Sequence, residues 1–289
     1  MMARRYDRLP LDGPAPVLKT PTGAVDTHIH FFDGQYPGAP GGPPPLDDCT
    51  PDDYRLVRKR LGLEKLVIVQ PNGYQFDNRC SLDALRDFGA DARAVLCLHG
   101  TESDADLQAL HDQGVRGARI MDLPGGASTL DRTLALAARI APFGWHVITQ
   151  FDGRSLEEHA KILERIDGDY VVDHTGKFLE PVATDDPAFA ALLRLVDKGN
   201  CYVKLSAFYE TSKSGPPFYE DVGRMARALI DHAPDRVIWA SNWPHVGRKA
   251  ENYPDDANQL DCLGQWTDSD AIIRKILVEN PRKLYDFGA

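Results

Sequence analysis

Three histidines and one asparagine stand where this sequence could do chemistry. His28 and His30 are one residue apart in the run Asp26-Thr27-His28-Ile29-His30. Side chains alternate along an extended strand, so both imidazoles fall on one face and can address a single metal ion or a single substrate. His174 ends a second apolar run, Tyr170-Val171-Val172-Asp173-His174, and Asn242 ends a third, Val237-Ile238-Trp239-Ala240-Ser241-Asn242. A neutral imidazole can polarise a carbonyl or shuttle a proton, and three together can hold a zinc ion with open positions. An amide donates and accepts hydrogen bonds but takes up no proton near neutral pH. These four are read as the catalytic set. No cofactor is expected; the alternative is a divalent metal, zinc, on His28, His30 and His174. A hydrogen-bonded core histidine is the bland reading of any one of them, and it fits less well when several end separate apolar runs.

Further polar residues follow or close the apolar runs: Asn72, Arg119, Gln150, Lys204, Tyr209 and His245. They are expected to bind substrate. A guanidinium at Arg119 suits bidentate recognition of a carboxylate; its structural alternative is an ion pair with nearby Asp122.

What would gather such residues is a (β/α)8 TIM barrel, in which the C-terminal ends of the strands face the active site. The chain has that rhythm. Eight short β-rich runs, at residues 24–30, 65–70, 93–98, 115–120, 146–151, 170–174, 201–206 and 237–242, alternate with helical periodicity at 51–61, 81–89, 104–113, 130–143, 156–166, 187–198 and 219–232, and a last such stretch covers 269–278. A doubly wound open sheet is the main rival, but no Gly-x-Gly-x-x-Gly follows the first run. No linker or repeat interrupts the pattern, so one domain is expected over residues 1–289, with 1–23 as an N-terminal extension. Residues 34–48, rich in Pro and Gly, predict a long loop over the active site. Residues 246–268 read as irregular chain wrapping the same face.

With 289 residues, 43% hydrophobic and 26% charged, the composition is that of a soluble globular chain. Thirty-three Lys and Arg against 43 Asp and Glu give a net charge of -10, which repels phosphate backbones and anionic membranes. Neither nucleic acid nor a membrane is an expected partner; a small molecule is. The basic start, with Arg4 and Arg5, leads into no apolar signal segment, so a cytoplasmic location is expected. Cys49, Cys80, Cys97, Cys201 and Cys262 lack paired spacing and read as reduced, mostly core thiols.

Together VDTHIH, GARIMDLPGGA, QFDG, DHTGKF, YETS and NWPH resemble the amidohydrolase superfamily over residues 24–287. The likeness falls in the branch of 2-pyrone-4,6-dicarboxylate lactonases and sugar lactonases, nearest to the galactarolactone isomerases. It implies an amidohydrolase-like barrel acting on a sugar-acid lactone or a dicarboxylate lactone. Two departures narrow that expectation. Most of the superfamily ends strand eight with an aspartate that ligates metal and deprotonates water, where this chain has Asn242. After strand seven the pyrone lactonases carry a Tyr-Arg pair, where this chain reads Phe208-Tyr209-Glu210-Thr211, and a buried Glu210 would suit hydroxyls better than a second carboxylate. The resemblance therefore implies metal-independent acyl transfer, in which a substrate hydroxyl attacks the lactone carbonyl and a 1,5 ring becomes a 1,4 ring. On that reading His28, His30 and Asn242 stabilise the oxyanion, His174 carries the proton and Arg119 anchors a carboxylate. Lactone hydrolysis, with or without zinc, is the alternative, and a catalytically inactive barrel kept for binding is the third.

Overall fold

The computed structural model describes residues 11–46 and 48–288, so the basic N-terminus lies outside the described residues. Eight strands form one parallel sheet in sequence order: β1 Val25–Ile29, β2 Lys65–Val69, β3 Ala92–Leu96, β4 Val115–Met121, β5 His146–Gln150, β6 Tyr170–Val172, β7 Cys201–Leu205 and β8 Val237–Trp239. Both faces of these strands are covered, which is why they read as near-continuous apolar runs rather than alternating ones. Val67, Val69, Val95, Ile148, Val171 and Ile238 fill the inside, and Tyr285 and Phe287 join them.

Among the described residues nine further helices accompany α1 Pro51–Leu61 and α2 Arg79–Phe88: α3 Asp104–Gln113, α4 Thr133–Ile140, α5 Leu156–Leu163, α6 Pro187–Asp197, α7 Phe208–Thr211, α8 Glu220–His232, α9 Asp256–Trp266, α10 Asp270–Arg274 and α11 Asn280–Tyr285. Local signals start and stop several of them. Thr50 and Asp53 form a capping box at α1, Pro51 takes its first turn, and Gly62 ends it in the left-handed conformation. Ser103, Asp106 and Gly114 do the same for α3.

Three expectations are corrected here. Residues 130–143 are not one helix: α4 is flanked by single 3-10 turns, Leu130–Arg132 and Ala141–Phe143, the second holding Pro142, which has no amide proton to extend an α-helix. Residues 246–268 are not wholly irregular, because Asp255 caps α9 through Asn258 N–H. The last helical stretch runs past 278, through a π turn at Lys275–Glu279 into α11.

The barrel closes beyond the end of β8. Asn242 N–H donates to His28 O at 3.0 Å, and His30 N–H donates to Trp243 O at 2.9 Å. Below them the Thr27 hydroxyl donates to Trp239 O at 2.7 Å. The buried Asp26 carboxylate takes Ser241 N–H at 3.0 Å and the Tyr54 hydroxyl of α1 at 2.9 Å. This seam sets His28, His30 and Asn242, more than two hundred residues apart in sequence, side by side.

Asp26 also makes the seam sensitive to pH. Burial raises its carboxyl from 3.8 to about 6, against the hydrogen bonds of Ser241, Tyr54 and His28. The folded chain thus holds this proton more tightly than the unfolded one, so the contribution is complete below the unfolded value and is lost as pH rises through the folded one. The shift corresponds to about 3 kcal/mol. Urea titrations should show the wild-type protein losing about that much between about pH 4 and pH 7 relative to Asp26→Asn; parallel pH curves for the two proteins would rule the assignment out.

Candidate active site

A cavity of about 490 Å³ opens where the strands end, within the range of small-molecule sites. His30, Asn72, Arg119, Gln150, His174 and Asn242 line it, as do Lys177, Glu210 and Arg248, and Pro43 and Pro44 of the 34–48 loop cover one side. A groove of the same volume lies at the other end of the barrel, around Trp145, Arg165 and Lys283; it holds none of the convergent polar groups described here.

Of the ten residues singled out by sequence, four do not line the cavity: His28 and Lys204 are buried, and Tyr209 and His245 stand behind Asn242. Three of those that do line it are placed by loops rather than strands, Asn72 among them in the 3-10 turn Asn72–Tyr74 after β2. His174 follows β6 in a 3-10 turn, His174–Gly176, and Asn242 lies three residues past β8. His174 and Asn242 have positive φ, 53° and 63°, as do Thr175, Lys177 and His245. Non-glycine residues in this region cluster where a fold holds side chains for a purpose. Gly153 makes the His174 turn possible: it donates to Lys177 O at 3.1 Å, and a Cβ at 153 would stand 2.2 Å from Gly176 O.

The imidazoles are ordered by what each nitrogen touches. His30 Nδ1 lies 2.7 Å from Val69 O, an acceptor, so Nδ1 carries the proton. His30 Nε2 is therefore the acceptor in its 3.2 Å contact with His28 Nε2, which must donate. His28 Nδ1 in turn accepts from Lys204 Nζ at 3.0 Å. One chain of donors thus runs Lys204, His28, His30, Val69 O, and it uses both nitrogens of both rings. Neither His28 nor His30 keeps an N–H for an oxyanion, and the role expected for them passes to the cavity's cations. His174 differs: Nδ1 meets the Ser206 hydroxyl at 2.8 Å, and Nε2 is left to the cavity.

Electrostatics keep all three rings neutral. Burial, then Lys204 and the other nearby cations, lowers His28 well below its ordinary value; burial and Arg119 bring His30 down to about 3. Burial also lowers His174, with Asp173 opposing. Lys204 and Asp173 form an ion pair at 2.9 Å with no solvent exposure on either side chain. Burial works to raise Asp173, but Lys204, His174 and Arg119 hold its carboxyl below the ordinary range.

Arg119 does not pair with Asp122. It donates to Gln70 O at 2.6 Å and to Gln150 Oε1 at 3.0 Å, and its buried Nε has no protein partner. Asn72 Oδ1 is likewise buried without one. Lys177 contacts Glu210, while burial draws its ammonium down to about 8, with Asp173 opposing. Sequence reasoning did not single out Asp173, Lys177, Ser206, Arg248 or Asp256. The first two lie in the DHTGKF motif itself, and Ser206 closes the β7 run.

Among the described residues, His28, Asp173 and His174 bring ligand atoms within 4.8 Å of one another, close enough to hold a metal ion. The set does not fit one. The Lys204 ammonium already pairs with Asp173 Oδ1 and donates to His28 Nδ1, and the tautomer it imposes puts a proton on His28 Nε2, the atom that faces His30. A dication there would also meet that buried positive charge. We assign no chemical step to a metal.

Residues 25–287 match the family described as Amidohydrolase. The chain is 41% identical over 278 residues to D-galactarolactone isomerase of Agrobacterium fabrum, covering 95% of each. It is 33% identical to a 2-pyrone-4,6-dicarboxylate hydrolase of Comamonas testosteroni, covering 93% of this chain and 92% of that one. An apo crystal structure from Agrobacterium tumefaciens superposes with a TM-score of 0.92 at 40% identity, over 96% of this chain and 98% of the other. Among the described residues no helix is long and apolar enough to cross a membrane.

Proposed function

Because the chain belongs to the amidohydrolase family, we propose that it is a lactone isomerase, converting the 1,5-lactone of a sugar diacid into the 1,4-lactone without consuming water. Action on a lactone is common to its named relatives, isomerase and hydrolases alike. The finer choice rests on one observation. Among the described residues lining the cavity Glu210 is the single carboxylate, and it is engaged by Lys177 and by Asn242 Nδ2. None of the described residues lining the cavity offers a free carboxylate to deprotonate water, whereas an intramolecular hydroxyl is held against the carbonyl by the ring itself and needs less help.

In this reaction the C4 hydroxyl of the substrate attacks C1, the C1–O4 bond forms, and the C1–O5 bond breaks. The proton leaving O4 must reach O5. His174 Nε2 faces the cavity with a neutral ring and carries that proton, while Ser206 fixes the ring through Nδ1. Lys177, in the adjoining turn, and Arg119 supply the positive charge that the oxyanion and the substrate carboxylate need. Asn72 and Gln150 offer polar atoms to the ring hydroxyls.

The test is to follow a galactarate-type 1,5-lactone with the purified enzyme by proton NMR. Appearance of the 1,4-lactone ahead of the open diacid is the expected course. If the open acid forms alone at an enzyme-dependent rate, the protein is a hydrolase.

A further inference from the structure

Asn242 is held by more than its backbone. Its Nδ2 donates to the Tyr209 hydroxyl at 2.7 Å and to Glu210 Oε1 at 3.1 Å. Behind Tyr209, His245 Nδ1 lies 3.0 Å from the hydroxyl and His245 Nε2 lies 2.8 Å from Asp256 Oδ1. A carboxylate only accepts, so Nε2 donates to Asp256, and in the tautomer this sets Nδ1 accepts the Tyr209 proton. Both oxygens facing Asn242 are therefore acceptors. Only an N–H2 satisfies the two at once, which leaves Oδ1 turned to the cavity as an acceptor. The oxyanion role expected for Asn242 does not survive this orientation; it suits a substrate hydroxyl instead.

We propose that Glu210 decides the fate of the lactone, because its carboxylate admits an amide at position 242, rejects a charged acid there, and so withholds the base that hydrolysis requires. This rests on the isomerase reading of the same site. An acid introduced by Asn242→Asp would set a second carboxyl about where Nδ2 now meets Glu210 Oε1. Two carboxyls at that separation cannot both ionise, and they share a proton. Lys177, on the other Glu210 oxygen, offsets part of this repulsion but donates nothing to position 242, and Arg248 lies over the Tyr209 ring with its Nη2 given to Tyr209 O. The protonated acid would donate to Glu210 as the amide does and would still be no base.

Neutralising Glu210 as well removes the obstacle. In Asn242→Asp/Glu210→Gln, the glutamine amide can donate to the introduced carboxylate, and the Tyr209 hydroxyl can turn its proton toward it. That carboxylate then takes a proton from water, the water oxygen bonds to C1, the C1–O5 bond breaks, and O5 receives the proton. The product is the open diacid.

The experiment compares wild type, Asn242→Asp, Glu210→Gln and the double variant on the same 1,5-lactone, reading open acid against 1,4-lactone by NMR after subtracting buffer hydrolysis. Thermal unfolding shows whether each is folded, and Asn242→Asp/Glu210→Ala serves if the first double variant is not. The double variant should form open acid at least about a hundredfold faster than Asn242→Asp alone, the low end of what a positioned base contributes. Glu210→Gln alone should not hydrolyse above background. Equal hydrolysis by Asn242→Asp and the double variant, or none from either folded double variant, overturns the proposal. Open acid from the wild type itself would instead overturn the isomerase reading.

Discussion

His174→Ala is expected to lower kcat by about 10²- to 10⁴-fold, the usual contribution of a positioned proton carrier. Four buried imidazoles stand at or behind the cavity. His28 and His30 spend both nitrogens on the Lys204-to-Val69 chain, and His245 spends both on Tyr209 and Asp256. His174 alone turns a nitrogen to the cavity. Because the binding groups proposed are Arg119, Gln150 and Asn72, KM should move little. Because alanine at a φ of 53° is strained, thermal unfolding must accompany the kinetics. Partial recovery of rate with added imidazole would mark the loss as chemical rather than structural. A folded His174→Ala protein with near wild-type kcat would remove His174 from the reaction and revive the view of the barrel as a binding protein.

The second large effect is expected beneath the cavity. Lys204→Met leaves the wholly buried Asp173 without its ammonium, and breaking one side of such a pair typically costs about 3–5 kcal/mol. Replacing both partners, as Lys204→Met/Asp173→Asn, should recover a substantial part of the loss in a double-mutant cycle. Removing Lys204 also frees His28 Nδ1 from its donor and allows the other tautomer, with a lone pair at Nε2. The single variant should therefore bind zinc at least about tenfold more tightly than wild type, since the ligand atoms of His28, Asp173 and His174 are already close. Unchanged urea stability, or equal zinc affinity in both proteins by calorimetry, would show that Lys204 does not govern this cluster.

The fold was largely legible because a parallel strand buried on both faces must be an apolar run, and all eight stand out as such. The helix α9 was not. Its entry, Pro254-Asp255-Asp256-Ala257-Asn258, reads as a turn, and two of its polar residues, Asp256 and Gln259, are buried. Local pattern cannot anticipate that Asp256 goes inside to hold His245. The site divided along the same line. Strand-end residues such as Arg119 and Gln150 could be placed on the cavity from alternation alone. Roles set by partners distant in sequence could not: Asp173 needs Lys204, Asn242 needs Glu210 and Tyr209, and His28 needs Lys204 to fix its tautomer. That is why the oxyanion assignment, made from residue type, gave way once each nitrogen had a partner.

The central claim is that the substrate's own hydroxyl, not water, attacks the lactone. Turnover of the 1,5-lactone in heavy-oxygen water, read by mass spectrometry at early times, tests it most directly. The account predicts a 1,4-lactone that carries no heavy oxygen, with label entering only through slow spontaneous hydrolysis. An open diacid bearing one heavy oxygen, formed at a rate proportional to enzyme, would contradict it.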